Sequence, residues 1–132
     1  MLRAIQNEMF DLGADLATPG EDFAPSEMVL RIVQPQIDRL EREIDAMNER
    51  LEPLRSFILP GGGGGSAHLH LARAIVRRAE RSAVAAAAEQ ALNPLALRYL
   101  NRLSDHLFVL ARLVALDEGG DILWQPGSTR GS

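Results

Sequence analysis

Four stretches of this chain repeat apolar residues every three or four positions, and proline or glycine punctuates the joins between them. That spacing returns side chains to one face of a helix, so each stretch reads as an amphipathic helix. Ile5, Met9, Leu12 and Leu16 carry the first, which Pro19-Gly20 ends, and residues 20–33 hold no sustained period and read as an irregular connection. The second starts near Gln34, with Pro35 tolerated in its first turn, repeats Ile37, Leu40, Ile44, Met47 and Leu51, and is closed by Pro53. It covers about two heptads, too few for a coiled coil. The third runs from Ser66 to Leu92 with an apolar stripe of Leu69, Ala72, Val76, Ala79 and Ala83. Asn93-Pro94 then pairs an N-cap with a proline at the first helical position, and Leu100, Leu103, Leu107, Leu110 and Val114 line the fourth helix until Gly119-Gly120 stops it. With no convincing strand and no internal repeat, the expected fold is all-α, an antiparallel helical bundle forming a single domain over residues 1–132.

Composition narrows the chemistry. Aromatic residues are only 5%, which leaves the core to Leu, Ile, Val and Ala. A net charge of −4 gives no electrostatic reason to bind nucleic acid. All 14 basic residues are Arg, so a lysine-dependent phosphate loop is excluded, although arginine forks still grip polyphosphates. The absence of cysteine removes disulfides, thiolate metal sites and thiol nucleophiles, and fits a cytoplasmic location. No secretory signal and no bilayer-spanning apolar run is present, so no membrane partner is expected.

Two polar stripes stand out. On the third helix His70, Arg73, Arg77 and Glu80 follow at three, four and three residues and share a face, with Arg78 and Arg81 close by. Two arginines one turn apart repel unless an anion lies between them, although charged helix faces are more often simply solvated. On the fourth helix Asn101, Asp105 and Arg112 also share a face; an Asn there can read an adenine edge or a ribose hydroxyl, and Asp105 can orient an arginine, unless this too is plain bundle surface. His68, His70 and His106 are too few and wrongly spaced for a closed metal site, so none is expected. By residue type alone Phe57 is a core plug, Trp124 an anchor for the tail, and the five glycines at 61–65 a flexible linker.

The strings IQNEMFDLGADLATP (5–19), FILPGG (57–62), HLHLARAIVRRAERSAV (68–84), YLNRLSDHLFVLAR (99–112) and Leu123-Trp124 with Pro126-Gly127 together resemble the PduO-type corrinoid adenosyltransferases, over nearly the whole chain. The resemblance implies four helices of a five-helix, ferritin-like bundle, assembled as a homotrimer with active sites between subunits. It implies transfer of the 5′-deoxyadenosyl group of ATP to the cobalt of a reduced cobalamin or other corrinoid, with Mg2+ accompanying the triphosphate. A cobalamin reductase and an adenosylcobalamin-dependent enzyme are the implied partners. By the same resemblance Phe57 is the apolar wedge beneath the corrin ring, with Gly61 and Gly62 beside it. Arg73 and Arg77 meet the triphosphate, Glu80 and Asn101 complete the ATP side, and Asp105 supports the geometry. Family members carry, before the IQNE string, a TRTGDDGTT-like ATP-binding loop and a helix with a DELN-like motif. Because IQNE begins here at residue 5, the expectation is a chain without that segment, with an exposed apolar groove. Val33 stands where the family places a Thr or Ser cap, and plain glycine at 61–65 replaces larger residues. An alternative expectation is a non-catalytic helical module that binds a corrinoid or mediates oligomerisation.

Overall fold

A computed structural model describes residues 1–26 and 28–131. The four periodic stretches are helices: α1 (Leu2–Leu16), α2 (Gln34–Asn48), α3 (Ser66–Ala87) and α4 (Pro94–Ala115), followed by a 3-10 turn at Leu116–Glu118. Among the described residues the one extended pairing outside them is an isolated antiparallel bridge between Ile58 and Leu123.

The centre of the bundle is α4, which packs along both α3 and α2 and touches α1. Twelve of its 22 residues are buried, too many for a helix that presents a single face to a core. Tyr99, Leu100, Leu103 and Leu107 join Ile37 and Leu40 of α2, Ile5 and Leu12 of α1, and Ala83 of α3. A second cluster combines Val109 and Leu110 with Ile44 and Met47. On α3, Leu69, Ala72 and Val76 lie partly buried against this core, but Ala79, expected on the same stripe, is exposed because it sits at the stripe's edge. Helix α3 also ends at Ala87 rather than running to Leu92. Its last turn tightens through Glu89 N–H to Ala86 O (3.0 Å), and the carbonyl of Ala91 instead accepts from Gly20 N–H at the exit of α1 (3.0 Å).

Apolar packing alone holds α1 weakly, and buried charge does the rest. Asp15, fully enclosed, accepts from Arg31 Nη1 (2.8 Å), from the Ile32 N–H (2.7 Å) and from Asn93 Nδ2 (2.7 Å). Asn93 in turn caps α4, its Oδ1 accepting from Leu95 N–H at 3.1 Å. One carboxylate therefore ties the end of α1, the 20–33 connection and the start of α4. Nearer the N-terminus, Glu8 accepts from Arg39 and from the Tyr99 hydroxyl (3.2 Å), and His106 Nε2 lies 3.0 Å from Glu43 Oε1. At the start of α2, Val33 has no side-chain oxygen to offer; Gln36 Oε1 reaches back to the Val33 N–H instead (2.9 Å).

Removing one member of a buried ion pair leaves the other charged and unsolvated, at a cost of about 3–5 kcal/mol. Asp15→Ala is therefore expected to lower the free energy of urea unfolding by about 3 kcal/mol, whereas Asn93→Ala costs about 1–2 kcal/mol through the lost cap and hydrogen bonds. An Asp15→Ala protein as stable as the parent would contradict this account.

Candidate active site

The antiparallel packing of α3 on α4 brings the two polar stripes together in register. The Arg73 guanidinium lies over the ring of Phe108, 4.6 Å from its centroid, and seven residues further along α3 Glu80 accepts from Asn101 Nδ2 at 3.1 Å, seven residues back along α4. Arg77, between them, is exposed and makes no hydrogen bond or ion pair among the described residues. The Asn101 Oδ1 accepts both Nε and Nη2 of Arg102 (3.1 and 2.7 Å), and Arg102 Nη2 also meets Asp105 Oδ2 at 2.7 Å. Glu80, Asn101, Arg102 and Asp105 thus form one connected polar chain. Arg112, expected beside Asn101 and Asp105 on a polar face, is instead buried at the far end of α4.

Arg73 also lines a cavity of about 680 Å3 together with Phe57, Phe108, Trp124, Ile58 and Leu54. Burial, then the neighbouring Arg77 charge, pulls the Arg73 pKa down, while Asp105 acts the other way. Its Nε is solvent-free and unpartnered. A cation held against an aromatic face beside a like charge, with donor capacity unspent, is an arrangement that an anion would relieve.

Phe57 is 76% exposed and is not a core plug. It projects from the segment 51–59, which runs antiparallel to residues 121–125: Trp124 N–H donates to Phe57 O and Leu59 N–H to Ile122 O, both at 2.7 Å. The Phe57 and Trp124 rings meet at 5.7 Å between centroids, tilted by 58°. The two aromatics that residue type alone made packing residues form one wall of the cavity.

The glycine run is likewise not a loose linker. Gly64 and Gly65 adopt positive φ (64° and 89°), which side-chain-bearing residues rarely do, and deliver the chain into α3. A Cβ on Gly64 would stand 3.0 Å from Glu118 Cγ and 3.3 Å from Val114 Cγ1, so the loop lies close against the end of α4. Ser66, the first residue of α3, is buried and donates to Ala111 O at 3.0 Å. A Cβ on Gly61 would stand 4.0 Å from Ile122 Cδ1 of the tail, and Gly62 turns at φ 120°.

Two residues were missed. Phe108 falls three positions after Asp105 and continues the Asn101–Asp105 stripe, so the same spacing argument reaches it. Arg102 gave no such signal, because its role depends on bending across to Asp105. Leu71 and Ile75 on the outer side of α3 are 59% and 58% exposed.

The arginine of α3 faces a concave, aromatic-walled cavity of the size that small-molecule ligands occupy. The family model described as cobalamin adenosyltransferase matches residues 1–114, and the chain belongs to that family. It is 54% identical to the corrinoid adenosyltransferase of Mycobacterium tuberculosis over 132 residues, 98% of this chain and 67% of that protein. It is 44% identical to the corrinoid adenosyltransferase PduO of Salmonella typhimurium over 112 residues, 85% of this chain and 33% of that protein. Among solved structures, a Phe-to-Ala variant of the PduO-type ATP:corrinoid adenosyltransferase of Lactobacillus reuteri, complexed with cobalamin and ATP, superposes with a TM-score of 0.81 at 38% identity, covering 94% of this chain and 68% of that one. An Arg-to-Lys variant of the Lactobacillus reuteri enzyme complexed with ATP gives 0.82 at 36% identity, covering 94% and 69%. The chain spans about two thirds of the length of the Mycobacterium relative.

The enclosed histidines give a pH dependence with a defined sign. Burial is the main cause that lowers the pKa of both His70 and His106, so near pH 6 the unfolded chain binds more protons than the folded one. Stability is then fully present above the unfolded value of about 6.5 and falls as pH drops below it. The urea midpoint is expected to decrease between about pH 7.5 and about pH 5.5, and His106→Gln should flatten that decrease.

Proposed function

We propose that this chain catalyses ATP-dependent adenosylation of a corrinoid. The observation that carries the reading is that Arg73, on the polar stripe, and Phe57, on a separate arm, line one cavity. The relatives are named corrinoid adenosyltransferases, and of the two superposing structures one holds cobalamin and ATP and the other ATP.

In the proposed reaction the electron pair of cob(I)alamin attacks C5′ of ATP, a Co–C bond forms, the C5′–O bond breaks, and triphosphate departs with the bonding pair. The leaving group carries several negative charges, and cations fixed in advance stabilise it without reorganisation. Arg73 suits that role because it is already partly desolvated and rests against the Phe108 ring. Arg77, one turn away and without a partner of its own, supplies the second cation. Glu80 and Asn101 bind the nucleoside side, and Asp105 with Arg102 fixes Asn101. Phe57, exposed at the cavity wall, disfavours an axial ligand on cobalt by putting a phenyl ring where that ligand would stand. Gly61 and Gly62 lie on the corrinoid side. No covalent nucleophile is required; positioning and charge suffice.

Mg2+ is expected with the triphosphate. Among the described residues no group of three His, Asp or Glu side chains could hold a metal, so the protein residues assign it no step. The exposed stripe of Arg77 and Val84 and the apolar outer side of α3 favour a subunit contact, in keeping with a homotrimer whose sites lie between chains. No helix among the described residues is long and apolar enough to cross a membrane. A cytoplasmic location, a cobalamin reductase as electron source and an adenosylcobalamin-dependent enzyme as recipient complete the proposal.

Under anaerobic conditions, cob(I)alamin and Mg-ATP are expected to give the absorption spectrum of adenosylcobalamin. Arg77→Ala should lower turnover by about 10²-fold or more, while Arg42→Ala, on the outside of α2, should change it by less than about twofold. Cobalamin titration beside the assay separates the alternatives: binding without turnover indicates a non-catalytic module, and neither binding nor turnover overturns the reading altogether.

A further inference from the structure

We propose that Arg112 and Asp121 form a strut that positions the Phe57 wall over the cavity. Phe57 is not held by burial in the core. Its ring rests on Trp124, and its backbone carbonyl accepts from the Trp124 N–H, while Ser56 Oγ donates to Trp124 O at 3.0 Å. The wall is therefore only as firmly placed as the two arms, 51–59 and 121–125, that make it. Both arms are tied near their roots by one guanidinium. Arg112 Nε donates to Asp121 Oδ2 at 2.9 Å, and Arg112 Nη2 donates to Glu52 O at 2.8 Å. Among the described residues no other α4 side chain hydrogen-bonds to either arm.

Packing does not replace this tie. A cavity of about 470 Å3 opens beside it, with Arg112, Asp121, Leu54, Leu116 and Leu123 in its walls, so the space between the arms and α4 is not filled by apolar side chains. Arg112 is only 8% exposed, and the Asp121 Oδ1 is solvent-free without a partner. Losing Asp121 would leave a buried, half-satisfied cation, which links the docking of one arm to that of the other. Arg112 also lies one turn beyond Phe108 on the same face of α4, so the strut and the floor beneath Arg73 share a rigid element. Lysine would not substitute, because a single ammonium lacks the planar fork that reaches both arms at once.

The placement of the arms can be tested without catalysis, because Trp124 is the sole tryptophan of the chain. Asp121→Asn and Arg112→Lys are expected to raise the acrylamide quenching constant of Trp124 fluorescence by about twofold, as local opening exposes the ring. For Asp121→Asn the opened arm lets Arg112 regain water instead of staying buried and unpaired, so the circular dichroism melting midpoint should stay within about 3 °C of the parent. The consequence for catalysis rests on the function proposed above: kcat should fall by about tenfold or more while the KM for ATP changes by less than about twofold. Unchanged Trp124 quenching in both variants overturns the strut. Greater quenching with unchanged kcat overturns its positioning role, and so does a fall in melting midpoint that accompanies every loss. A parent protein that does not turn over cob(I)alamin and ATP instead overturns the proposed reaction, and the quenching result still decides the strut.

Discussion

The register of α3 against α4 is the constraint on which the site depends. Once Arg73 stacks on Phe108, the helical rise carries Glu80 to Asn101. A one-residue slip would rotate each polar group by about 100° away from its partner. The register is fixed at the start of α3, where the buried Ser66 hydroxyl donates to Ala111 O and glycines at positive φ bring the chain close to the end of α4. The glycine run is thus a mechanical part of the site. It lets the helix begin at the one height where the two stripes meet.

The core is built mostly from aliphatic side chains, and buried charge does what further apolar area would do in a larger bundle. Asp15 joins three segments far apart in sequence, and the Glu8–Arg39–Tyr99 and Glu43–His106 contacts fasten α1 and α2 to α4. Such networks add little net stability compared with well-packed apolar groups, but they are intolerant of partial loss. They specify one arrangement of the helices, and in a bundle whose helices could slide along one another, specification is what preserves a site made from two of them.

The helices were legible because periodicity is a local property, and the starts set by Asn93-Pro94 and Pro35 stand where the residues place them, while Gly119 ends the 3-10 turn that follows α4. The end of α3 was not, because an Ala-rich run gives no local stop; the Ala91 carbonyl is taken by Gly20, a partner far away in sequence. The same distinction divides the site. The stripes of Arg73, Arg77 and Glu80 and of Asn101 and Asp105 follow from spacing, whereas residue type alone misjudged Phe57 and the glycine run. Phe57 is exposed because residues 121–125 return to pair with its own segment, and no spacing within 51–66 encodes that return. Asp15 and Arg31 were unremarkable in sequence, since burial rather than pattern gives them their importance.

In the proposed mechanism a departing triphosphate asks different things of the two arginines. A cation that is already desolvated and held contributes more to a developing charge than one that must first shed water, and Arg73, partly buried against Phe108, is of that kind. Arg77 is the opposite, exposed and unpaired, and in the proposed mechanism it gains its full effect only when substrate or a neighbouring chain removes water from around it. The site is therefore asymmetric by construction. One cation is fixed by the fold, and the other is completed by what binds.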